Sequence, residues 1–97
     1  MVNSRAESKA SIGEEIHLGP PYQVILFNDE QHAMDEVVAQ IVMATGFSID
    51  KAMTIMLEAH HTGRAVVIVA HQERCEYVAQ VLEEIRLGVK VEPAQGQ

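Results

Sequence analysis

Ala65–Ala70 (AVVIVA) is apolar at every position, and no other stretch restricts the fold as much. The run is short for a helix and rich in β-branched residues, so it reads as a strand. A strand without polar alternation asks for cover on both faces and a neighbour on each side. It is therefore expected at the centre of a small sheet. With 97 residues in the chain, the cover must come from the few other elements of one domain.

Those elements can be read in order. Tyr22–Phe27 (YQVILF), bounded by Pro21 and Asn28, predicts a first strand. Met34, Val37, Val38, Ile41 and Val42 fall at helical spacing, and Thr45-Gly46 ends that helix. Ser48 is a good N-cap for a second helix, with Asp50 favoured in its first turn. Ile49, Ala52, Met53, Met56 and His60 predict that helix's inner face, and Gly63 its end. A third helix over about Gln72–Arg86 should bury Cys75, Val78, Ala79, Leu82 and Ile85, and Val89–Val91 predicts a short last strand. The order β-α-α-β-α-β predicts a compact single α+β domain, a small three-stranded sheet with three helices packed on it. Met1–Pro20 has no such periodicity and reads as a flexible N-terminal extension. The core is expected over 21–92 and a short polar tail over 93–97.

Seven basic residues against fourteen acids give a formal charge of −7. The Lys and Arg residues are scattered, so no nucleic-acid footprint is visible. No apolar run approaches the roughly 20 residues of a membrane span, and the N-terminus resembles no secretory signal. A transit peptide should be poor in acids, against which stand Glu7, Glu14 and Glu15. The single Cys75 suits a reducing compartment and reads as a small core residue. Gly46, Gly63 and Gly88 stand alone at element ends and form no phosphate-binding loop, and no Cys pair has zinc spacing.

The residues that ask for a function lie between the first strand and the first helix. Asn28, Asp29, Glu30 and His32 crowd a hinge where a turn alone would need less. Asp29 and Glu30 are neighbours on a turn and do not face one another across a cleft, so no catalytic acid pair is expected. His60 and His61 point about 100° apart on a helix and do not chelate as a pair. His60 continues the apolar stripe of Ala52, Met53 and Met56. It reads as a half-buried histidine satisfied by backbone, or as a ring nitrogen at the edge of an apolar cavity if Asn28 and Asp29 come close. Met34, Met43, Met53 and Met56 fit core packing, or the lining of a pocket for a large apolar side chain.

Tyr22–Glu30 (YQVILFNDE), Met34, and Lys51–Val66 (KAMTIMLEAHHTGRAV) together resemble the ClpS adaptor family over roughly Pro21–Glu92. The resemblance implies a non-enzymatic N-degron receptor with an antiparallel three-stranded sheet. It would bind a free N-terminal Phe, Tyr, Trp or Leu and deliver the protein to a ClpA- or ClpC-type AAA+ unfoldase with ClpP. Asn28, Asp29 and His60 match the residues around the substrate's α-amino group. Met34 matches the pocket-mouth methionine, Val37 and Met56 the pocket wall, and Leu87 a wall residue before the last strand. Glu73 matches a glutamate that docks on the unfoldase's N-terminal domain. A monomer in the bacterial cytoplasm is implied, with the plastid stroma as the alternative, and neither metal nor cofactor.

The chain also departs from the family. Family members commonly read D-Y-T-P-M where this chain has Glu30-Gln31-His32-Ala33-Met34. His32 thus replaces a small threonine at the pocket, and Ala33 a stiffening proline. No lysine follows Glu73 on the third helix to complete the docking pair, and these differences suit a divergent paralogue. Two rival readings stand beside the adaptor: a related module, like the ribosomal stalk-type domain, with another protein partner, and a metal-binding domain built on His32, His60 and His61.

Overall fold

β1 (Tyr22–Phe27) is the middle strand of the sheet, not the edge. β2 (Arg64–Ala70) pairs antiparallel along one side of it, and β3 (Val89–Pro93) antiparallel along the other. The computed structural model describes residues 19–94. The flexible extension expected over 1–20 lies outside the described residues but for Gly19 and Pro20, as does the end of the tail beyond Ala94.

The expectation that AVVIVA is central is therefore wrong, and a β-bulge explains why the run is apolar all the same. Val24 pairs with Ile68 but the next residue, Ile25, pairs with Val66, so Val67 is an extra residue on β2. The bulge lets Ala65, Val67, Ile68 and Ala70 all pack towards the helices. Val66 and Val69 flank Ile25 and Gln23 on the other face, where they stay 42% and 55% exposed. That face has no helix over it among the described residues. Long polar side chains cover it instead. Arg64 lies 5.7 Å from the Phe27 ring centre and 3.7 Å from Glu92, and Gln23 Nε2 donates to Glu92 Oε2 at 2.7 Å. The Gln23 amide, with Lys90 and Arg64, holds the Glu92 carboxyl below its ordinary pKa against the effect of burial.

Three helices close the inner face: α1 (Met34–Thr45), α2 (Ile49–Thr62) and α3 (Gln72–Glu83). Val24, Leu26, Ile41, Ala52, Cys75, Val78 and Leu82 are buried where they meet. Cys75 is fully enclosed, and burial pushes its thiol pKa up. The inner face of α2 is turned from the one expected. Ala52, Ile55, Met56 and Ala59 point inward, whereas Ile49 and Met53 are 65% and 40% exposed and His60, expected half-buried on the inner face, is exposed too. Two alanines at i and i+7 let α2 sit close to its neighbours, and a pattern read from the largest side chains overlooks them.

α3 also ends a turn earlier than its apolar spacing suggests. Glu84–Arg86 form a turn, Arg86 takes a left-handed φ of 68°, and Leu87 N–H donates back to Leu82 O at 3.4 Å. A Schellman-type stop normally carries glycine at the left-handed residue, so the sequence held no signal for it. At Gly63, which caps α2 at φ 98°, the expected glycine is present. These two positions should respond in opposite directions. Gly63→Ala should destabilise the fold by about 1–2 kcal/mol, and Arg86→Gly should stabilise it by about 0.5–1 kcal/mol. Urea unfolding checks both; a midpoint that rises for Gly63→Ala would mean the α2 end relaxes.

Candidate functional site

The hinge after β1 and the end of α2 meet because of backbone pairing. Phe27 pairs with Arg64, and Asn28 N–H donates to Gly63 O at 2.9 Å. Gly63 N–H in turn donates to Ala59 O at 2.9 Å, which holds the last turn of α2, with His60, beside Asn28. On the other side, Phe27 N–H donates to Gly88 O at 3.0 Å and fixes the segment that follows α3.

A small cavity of about 20 Å³ lies where these segments converge. Its inner wall is apolar: Leu26 and Phe27 from β1, Val37 from α1, and Met56 and Ala59 from α2. Its mouth carries Asn28, Asp29, His32 and His60, with Met34 at the rim, 47% exposed. Eight residues singled out from the sequence were Asn28, Asp29, His60, Met34, Val37, Met56, His32 and Leu87, and all but Leu87 line this one space. Leu87 is buried in the core at 3% exposure and does not line it. Glu73 stands exposed in the first turn of α3, apart from the cavity. Leu26, Phe27 and Ala59 escaped the sequence reading. Ala59 carried a signal, three residues beyond Met56 on one helical face; the strand residues carried none, because a buried strand end looks the same with or without a cavity.

Asn28 Nδ2 donates to Glu30 Oε2 at 2.7 Å. A carboxylate only accepts, so the Asn28 amide must turn its NH₂ group to Glu30 and leave Oδ1 as the free acceptor. Asp29 holds the hinge together. Its Oδ1 accepts from the backbone N–H of Gln31 at 2.5 Å and of His32 at 2.8 Å, and its Oδ2 lies 2.8 Å from His32 Nδ1. The hinge leads into α1 without the expected proline. Ala33 N–H donates to Glu36 Oε1 at 3.2 Å, the return half of a capping box, and Ala33 itself supplies no side-chain cap.

Charge follows from this geometry. Burial by itself would raise the Asp29 carboxyl, but the N–H groups of Gln31 and His32 and the His32 ring outweigh it and hold the pKa below the ordinary 3.8. The His32 pKa is raised above 6.5, chiefly by the hydrogen bond to Asp29, against desolvation and with help from Glu36 and the backbone of Ile85. The His32 contribution to stability is complete below about pH 6.5 and vanishes as pH climbs through its raised folded-state midpoint. That of Asp29 is complete above about pH 3.8 and vanishes as pH falls through its lowered midpoint. Asp29→Asn should therefore move the His32 midpoint down towards 6.5, read from imidazole proton shifts by NMR. An unmoved midpoint would mean Asp29 is not the partner that raises it.

His60 and His61 stack edge to face with ring centres 5.2 Å apart. Among the described residues no group of three or more His, Cys, Asp or Glu side chains comes together to hold a metal ion. Nor is any described helix long and apolar enough to cross a membrane. What the cavity offers is a polar mouth, with the Asn28 amide oxygen and the Asp29–His32 pair, over an apolar hole.

Comparison with known proteins shows the family of the chain. The sequence model described as "ATP-dependent Clp protease adaptor protein ClpS" matches residues 18–90. This chain belongs to the ClpS family. The chloroplastic Clp protease adapter CLPS1 of Arabidopsis thaliana is 39% identical over 93% of this chain, which spans 57% of that protein's length. ClpS of Gloeobacter violaceus is 40% identical over 76% of this chain and 81% of its own. The solved structure of Agrobacterium tumefaciens ClpS2 bound to L-phenylalaninamide superposes with a TM-score of 0.72 at 26% identity, covering 77% of this chain and 98% of the other. ClpS proteins are adaptors, and the fold of this member is the family's α+β domain with its three-stranded antiparallel sheet.

Proposed function

We propose that this ClpS protein captures proteins through a free N-terminus whose first residue is bulky and hydrophobic, Phe, Tyr, Trp or Leu, and delivers them to a Clp AAA+ unfoldase. The observation that carries the reading is the cavity that joins the apolar wall of Val37, Met56 and Ala59 to the polar mouth of Asn28, Asp29 and His60. L-Phenylalaninamide, bound by the Agrobacterium neighbour, has the chemistry of an N-terminal phenylalanine: a free α-amine, a benzyl side chain, and an amide in place of the first peptide bond.

Recognition divides into two parts. The α-ammonium group brings three N–H donors and a positive charge. Asn28 Oδ1 and a ring nitrogen of His60 accept from it, while Asp29 and Glu30 supply the negative field. The first side chain displaces water into the apolar wall, and full burial of a Leu or Phe contributes roughly 1.5–3 kcal/mol. The cavity is narrow, about 20 Å³, so the flexible Met34 thioether at the rim moves aside as the side chain enters.

The N-terminal extension over 1–20 assists handover, and Glu73 on α3 takes part in docking to the N-terminal domain of a ClpA- or ClpC-type unfoldase, without the lysine that usually accompanies it. The adaptor works as a monomer, in the bacterial cytoplasm or, as the alternative, the plastid stroma.

The test is fluorescence anisotropy with a labelled peptide beginning in Phe beside its N-acetylated twin. Acetylation removes the charge and leaves acceptors unpaired, at about 1–3 kcal/mol each, so a loss of at least about tenfold is expected. Equal binding of the two peptides would reject the reading.

A further inference from the structure

A second hollow, about 420 Å³ and far larger than the first, lies along the seam of α1 and α2, lined by Val38, Ala39 and Val42 on α1, Ile49 and Met53 on α2, and Asp35 at its polar edge. Ile49 and Met53 leave their side chains 65% and 40% exposed there. The groove adjoins the first cavity along both helices, and no residue lines both. Met34 and Val37 line the cavity, and their chain neighbours Asp35 and Val38 line the groove. On α2, Met56 lines the cavity and Met53, three residues back, the groove, a rise of about 4.5 Å.

We propose that the groove takes the side chain of the third residue of the bound substrate, so that this adaptor reads a free N-terminus with two apolar residues spaced one apart. The inference rests on the reading of the cavity given above. An extended peptide advances about 3.3 Å per residue and turns alternate side chains to the same side. With the first side chain in the cavity and the peptide running along the α1–α2 seam, as the proposal has it, the third reaches about 6.6 Å further on and faces that seam. From Met56, the groove residues Met53 and Ile49 lie about 4.5 and 10 Å back along α2, so the third side chain reaches the near half of the groove. Asp35 at the edge, in a chain of net charge −7, disfavours an acid at that position and tolerates a base.

The test uses anisotropy with three C-terminally labelled peptides beginning Phe-Ser-Leu, Phe-Ser-Ser and Phe-Ser-Asp, and an N-acetylated Phe-Ser-Leu. The leucine peptide is expected to bind about five- to tenfold tighter than the serine peptide, and the aspartate peptide weakest of the three. The double variant Ile49→Ser/Met53→Gln should abolish the leucine advantage and leave affinity for Phe-Ser-Ser unchanged. Equal binding of the leucine and serine peptides, while acetylation still abolishes both, would overturn the groove's role and leave the cavity's intact. Survival of the leucine advantage in the double variant would also overturn it. Full binding of the acetylated peptide would overturn both readings. If sedimentation shows wild-type dimers that the double variant loses, the groove belongs to a second copy of the chain and the proposal fails.

Discussion

Asn28→Ala should weaken binding of a Phe-initiated peptide about 10- to 150-fold and leave the fold's stability nearly unchanged. The contact proposed for Asn28 is a hydrogen bond to a charged amine, worth about 1.5–3 kcal/mol, which sets that range. Stability should hold because the Asn28 side chain is exposed and its one described partner is the equally exposed Glu30. Its backbone N–H to Gly63 O, which holds α2 beside the hinge, is kept in the variant. Binding and stability thus separate at this residue. Asp29→Ala would not separate them, since the Asp29 carboxylate accepts from two backbone N–H groups and from His32. Anisotropy titration beside urea unfolding checks the point. An Asn28→Ala protein that binds Phe peptides as tightly as wild type would place the amine elsewhere.

On the proposed reading, Met34→Ala should raise affinity for peptides beginning with Ile or Val by about tenfold or more. A β-branched residue carries its extra carbon next to the backbone, at the level of the cavity mouth. Met34, 47% exposed at that mouth, crowds that carbon; relieving an overpacked contact is worth about 1–3 kcal/mol. Phe should lose little, because the proposed pose sets its bulk deeper, towards the Val37, Met56 and Ala59 lining. Competition with unlabelled Ile- and Phe-initiated peptides measures both effects. Continued rejection of Ile and Val would move the gate to His32, whose ring stands at the same mouth.

His32 shows how a departure from the family's usual residues is absorbed. The imidazole is bulkier than the threonine that the resemblance implies at this position, yet its Nδ1 is taken up by Asp29 and the backbone of Ile85 helps hold the ring in its charged form. It braces the hinge between β1 and the turn after α3. The ring stands at the cavity mouth, and Asp29 holds the turn through the backbone N–H groups of Gln31 and His32.

Composition and periodicity were enough for the order of elements, because each one carries its own local signal: β-branched runs, helical spacing, Ser48 before α2, Gly46 and Gly63 after α1 and α2. The polar hinge was legible as well, since four polar or charged groups in a short turn exceed what a turn requires. The convergence of Asn28 and His60 was not legible from periodicity. It depends on Phe27 pairing with Arg64 and Asn28 N–H reaching Gly63 O, contacts between residues far apart in sequence whose backbone groups are the same for any side chain. Strand order escaped for a related reason. A bulge at Val67 turns four of the six residues Ala65–Ala70 of this edge strand towards the helices, so hydrophobicity alone does not separate edge from centre. The end of α3 depended on Arg86 accepting a left-handed conformation that local preference would give to glycine. Local chemistry thus determined the elements and the character of the site, while strand pairing decided which residues share it, because backbone hydrogen bonds over long sequence separations leave no mark on the side chains that form them.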